Sequence, residues 1–87
     1  MRPERHIKQF HTRMLINKPV IVVCRSPLKY AGIMVEYFER NDTIVLKDFV
    51  EYRMNEDKTW DKRDEGDLII VRGNVWGEIQ AKKFTLI

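Results

Sequence analysis

The chain has 87 residues, 33% of them charged and 44% hydrophobic, and its 16 Lys and Arg against 13 Asp and Glu give a formal net charge of +3. That length accommodates one domain, 1–87, whose core is marginal for a lone monomer. The one cysteine, Cys24, excludes an internal disulfide, and no apolar run is long enough to cross a bilayer, so a cytoplasmic, reducing location is expected.

In chain order, Pro3-Glu4 reads as a helix start, with Ile7, Phe10, Met14 and Leu15 on one face of a short helix over 4–16. Asn17-Lys18-Pro19 ends it, because proline disfavours helix at the residue before it. From Pro19 onward the chain reads as β structure. Val20 to Cys24 is a β-branched run, and Arg25-Ser26-Pro27-Leu28 supplies a turn. A second strand runs from about Lys29 to Glu39, with Gly32 marking a strong bend. Arg40-Asn41-Asp42 is a polar turn, and Thr43 to Tyr52 is the longest strand, with Ile44 and Leu46 facing inward. Residues 53–66 read as a charged loop, followed by strands over 67–72 and 75–82 around Arg72-Gly73-Asn74. The architecture expected is mostly β: an N-terminal helix over a strongly bent, five-stranded antiparallel SH3-like small barrel spanning 19–82.

Charge is unevenly spread. Arg2, Arg5, Lys8, Arg13 and Lys18 face only Glu4 in residues 1–18. In 51–67, Arg53, Lys58, Lys62 and Arg63 stand against Glu51, Glu56, Asp57, Asp61, Asp64, Glu65 and Asp67. A basic start suits a polyanion; an acidic segment most often solvates a surface.

The stretch Leu68-Ile69-Ile70-Val71-Arg72-Gly73-Asn74 reads as a buried apolar strand that stops in a tight turn carrying one cation, with Gly73 free to take φ > 0. It resembles the second signature segment of the Sm and Sm-like proteins, an apolar strand ending in Ile/Val-Arg-Gly and then Asp or Asn. Their first segment is similar to Asn17-Lys18-Pro19-Val20, Tyr30-Ala31-Gly32, Leu46-Lys47-Asp48 and Glu51, so the likeness spans roughly residues 5 to 80.

The resemblance implies the Sm fold, with the fourth strand of one subunit pairing with the fifth of the next in a homo-oligomeric ring of six or seven. It also implies that single-stranded, uridine-rich RNA is held by two turns on the inner rim. Arg72 and Gly73 match that pattern, and Asn74 stands where Asp is frequent. The other turn departs from it. Asn41 replaces the usual stacking residue, Thr43 replaces the amide that reads the uracil edge, and Arg40 or Tyr37 is available to shift toward the base. A hydroxyl cannot make an amide's paired contact, so weaker uridine selectivity is expected. The RNA-binding candidates are therefore Arg72, Gly73, Asn74, Asn41, Thr43 and Arg40, in a protein that supports RNA processing or turnover in the manner of archaeal homomeric members.

Other residues are less telling. Tyr30, Tyr37, Phe38, Phe49 and Trp76 lie in strands and read as core, and Cys24 as a buried structural thiol. Trp60 stands in the 53–66 loop, where an indole serves either a second ring or protein partner, or packing within its own subunit. His6 and His11 are five apart, not the four that would share a metal, and no cofactor or catalytic constellation is evident. The rival class is a ring-forming scaffold for protein assembly with little RNA binding, favoured by the changes at Asn41 and Thr43.

Overall fold

The computed structural model describes residues 12–81, which form five strands: β1 (Pro19–Cys24), β2 (Leu28–Phe38), β3 (Thr43–Met54), β4 (Trp60–Val71) and β5 (Trp76–Ala81). All belong to one antiparallel sheet in the order β4-β3-β2-β1-β5. The alternation in β1 is that of a strand with one buried face: Val20, Val22 and Cys24 point into the core, and Pro19, Ile21 and Val23 are half-covered.

Consecutive elements β4 and β5 lie at opposite ends of this order, yet only residues 72–75 join them. So short a link forces the sheet to curl until its edges approach. Val71 and Trp76, one from each edge, accordingly enter the same core as Val20, Val22, Met34, Tyr37, Ile44, Leu46 and Phe49. The curl comes from bulges. Between Ala31 and Ile33 the β2–β3 register slips at Gly32, and the extra residues on β3 include Asp48 at φ 50°. A Cβ on Gly32 would lie 3.0 Å from the Lys47 carbonyl oxygen, so this close approach favours glycine.

Three sequence-based expectations change. Residues 4–11 of the helix expected over 4–16, and both histidines, lie outside the described residues. Of the expected helix the described residues include only Thr12 to Ile16, of which Thr12 and Arg13 are helical; the segment after them closes in turns before β1, with Leu15 N–H donating to Thr12 O (3.0 Å) and Lys18 N–H to Leu15 O (3.0 Å). Asn17 ends it at φ 69°.

The expected charged loop 53–66 is mostly strand. β3 runs to Met54 and β4 starts at Trp60, leaving a tip in which Asn55 N–H donates to Thr59 O (2.7 Å). Cross-strand neighbours hold the charged stretch extended: Arg53 faces Asp61, and Arg63 reaches Glu51 at 3.7 Å. Trp60 is thus not a loop residue. It is half-buried, with the Lys29 ammonium 4.3 Å from its ring centroid, which favours packing within its own subunit.

Finally, the apolar run of β4, an edge strand as the resemblance implies, is not a buried one. Leu68 and Ile70 are each 64% exposed, whereas Val71 is 3% exposed, so only one face of the apolar run is covered.

Candidate nucleic-acid interface

The turn at 39–42 joins β2 to β3, and the turn at 72–75 joins β4 to β5. The second is closed by Val75 N–H donating to the Arg72 carbonyl at 3.0 Å. The register Ile44 to Val71 sets Thr43 next to Arg72 one step further along, bringing the turns side by side.

Gly73 is the point of contact. A Cβ there would sit 2.1 Å from the Asn41 carbonyl oxygen and 2.8 Å from the Asp42 Cβ. No glycine among the described residues has a positive φ, so Gly73 is needed for the close approach of two backbones and not for a left-handed conformation. The left-handed residue is Asp42, at φ 53°, in the turn where the sequence put Asn and Asp.

Asp42 is gripped from two strands. The Tyr37 hydroxyl of β2 donates to its carboxylate, and the Trp76 indole N–H of β5 donates to its carbonyl. Trp76 is fully buried and Tyr37 is 9% exposed, so both act from inside the barrel. Within the turn, Thr43 N–H donates to Asn41 Oδ1 at 3.3 Å, a local bond that draws the Asn41 side chain back over the start of β3.

Between the turns lies an open pocket of ≈ 530 Å³ lined by Asn41, Thr43, Ile70, Arg72, Gly73 and Asn74. Its size falls within the roughly 300–1,000 Å³ usual for small-ligand sites. Five of the six sequence candidates line it; Arg40, exposed on the same turn as Asn41, does not. Tyr37 is committed to the core and to Asp42, so it is not displaced toward a ligand. Arg72 is exposed and forms no ion pair with a described residue, leaving its guanidinium available to a phosphate or a base. Glu39, by contrast, is paired with Arg13.

Two participants escaped the sequence reading. Ile70 shares a strand face with Arg72 by the two-residue period of β4, a signal present in the sequence. The hydrogen bonds of Tyr37 and Trp76 to Asp42 had no such signal, because they link residues from three separate segments.

Phe38 is also unexpected. It is 47% exposed and outside the core to which its strand position assigned it.

No family model and no curated protein matches the sequence. Solved structures do match. The chain is similar to a heptameric archaeal Sm protein at 20% identity and TM-score 0.62, covering 85% of this chain and 98% of that one. It is similar to the Pyrococcus abyssii Sm protein in complex with a uridine heptamer at 21% identity and TM-score 0.64, covering 94% and 100%. A chain of the NatC complex bound to CoA is similar at 18% identity and TM-score 0.61, covering 83% and 84%. The chain therefore has the Sm-like fold.

Proposed function

We propose that this chain is a non-catalytic RNA-binding subunit that closes into a ring of its own copies and holds single-stranded RNA at the pocket between its two turns. The observation that carries this reading is the convergence of Asn41, Thr43, Arg72, Gly73 and Asn74, from segments about thirty residues apart in the chain, on one open pocket with an exposed cation. The similarity to one Sm protein described as heptameric and another bound to a uridine heptamer supports both parts.

The pocket chemistry suits a single strand. Arg72 offers a planar cation for a base face or a phosphate, Asn74 and Asn41 carry amides, and Ile70 gives an apolar wall. Thr43 supplies a hydroxyl in place of an amide, so discrimination for uridine is weak in this reading. One nucleotide per subunit, repeated round a ring, converts weak contacts into useful affinity. A role in RNA processing or turnover, in the cytoplasm and without catalysis of its own, follows from this reading.

The test is fluorescence anisotropy with labelled oligo-U and oligo-A at two salt concentrations. Binding should weaken with salt, with a log–log slope of about −0.7 per phosphate neutralised. Base identity should matter little, and Arg72→Ala should weaken both ligands. A hundredfold preference for oligo-U would refute weak selectivity.

A second reading has an observation of its own. The similarity to a chain of the NatC complex supports it, since that chain belongs to a complex. Absence of binding to either oligonucleotide at low salt would favour a scaffold role, with protein partners to be sought along the β3–β4 hairpin.

A further inference from the structure

Phe38 ends β2 directly opposite Thr43, the first residue of β3. Residues paired across antiparallel strands project to the same face, so Phe38 lies on the face of the sheet where Thr43 meets the pocket. On the other side of Thr43, one register step beyond the Ile44–Val71 pair, stands Arg72. Phe38, Thr43 and Arg72 thus form a row across three segments, with the small hydroxyl residue in the middle.

The spacing of that row is suggestive. Adjacent strands are about 4.8 Å apart, which puts Phe38 and Arg72 about 9.5 Å apart at the backbone. A flat group sandwiched between a ring and a guanidinium needs about 7–8 Å between the two, or two van der Waals contacts. Side chains leaning inward over Thr43 can close the difference. Among the described residues that line the pocket none is aromatic, and Asn41 stands where a stacking side chain would be. Phe38, paired with the lining residue Thr43, has 47% of its surface exposed, unlike Tyr37 and Phe49, which are 9% and 8% exposed.

We infer that Phe38 is the stacking platform of this site: a nucleobase lies over Thr43 between the Phe38 ring and the Arg72 guanidinium. This rests on the RNA-binding reading above and names the residue that holds the base. Stacking on a phenyl face tolerates any base, so the platform adds affinity without adding selectivity.

The experiment compares Phe38→Ala, Phe38→Trp and Arg72→Ala in the same anisotropy titrations with oligo-U and oligo-A. Phe38→Ala should weaken both ligands by about fivefold or more and by similar factors. Phe38→Trp should retain binding and add an indole emission, over that of Trp60 and Trp76 in the parent protein, that RNA quenches. Phe38 is exposed, so neither substitution should lower Tm. If Arg72→Ala weakens binding and Phe38→Ala leaves it unchanged, the platform is wrong and the RNA site stands. If the parent protein binds neither oligonucleotide, both fall.

Discussion

Gly73 has no room for even a methyl group, since the Asn41 carbonyl oxygen would be 2.1 Å from its Cβ. Gly73→Ala must therefore push the two turns apart. Overpacking of this kind costs about 1–3 kcal/mol, so the urea midpoint should fall by that equivalent and RNA binding should fall with it. The sequence pointed to Gly73 for the wrong reason: its importance was legible in Arg-Gly, but the backbone contact that demands it involves a turn more than thirty residues away. Tyr30 carries a different kind of constraint. It faces Glu51 across β2 and β3, and burial, together with the hydrogen bond to Glu51 and that carboxylate's charge, pushes the phenol from 10.0 up to about 12. The folded chain thus holds the phenol proton more tightly than the unfolded chain does. This contribution is fully present below pH 10 and is lost as pH rises to about 12. Tyr30→Phe has no proton to lose, so the stability gap between parent and variant should narrow or reverse through that window. Urea midpoints of both proteins at matched pH measure it.

At the scale of elements, the β3–β4 hairpin separates what apolar pattern reveals from what it hides. The β-branched runs of β1 and early β3 declared themselves because one face of each is buried. The first half of β4 buries almost nothing: Asp61, Lys62, Arg63, Asp64 and Glu65 are all exposed, so no period-two signal survives. Its extended form comes instead from its partner, through the β3 ladder and opposite charges placed across it. The tip is equally a matter of local bonds, with Asp57 accepting from Thr59 N–H at 3.1 Å and Lys58 held at φ 72°. A left-handed lysine costs about 1–2 kcal/mol, partly offset on replacement by the greater chain entropy of glycine. Lys58→Gly should therefore stabilise the protein by about 0.5–1 kcal/mol, read as a higher thermal midpoint.

For the whole molecule, the decisive feature is that no described strand pairs with either outer edge of the sheet, while β4 exposes apolar side chains. An edge carrying Leu68 and Ile70, each 64% exposed, is a template for another strand, and β5 offers the complementary edge at the far end of the same sheet. In the ring proposed above, edges at opposite ends of a curled sheet would meet head to tail, a contact that rotation can close. Leu68→Lys should disrupt that contact, because an edge lysine must be desolvated if a neighbouring strand is to pair there. Leu68 also lies outside the pocket lining, so the site itself is untouched. Light scattering should find the variant with a smaller mass than the parent, and Glu36→Gln, which adds the same +1 charge on interior strand β2, should leave the mass unchanged. RNA binding gives the sharper reading. An added cation by itself strengthens attraction to a polyanion. If Leu68→Lys nevertheless weakens binding to a long oligonucleotide, charge cannot be the cause and lost multivalency must be. A variant with the parent's mass would exclude β4 as the assembling edge.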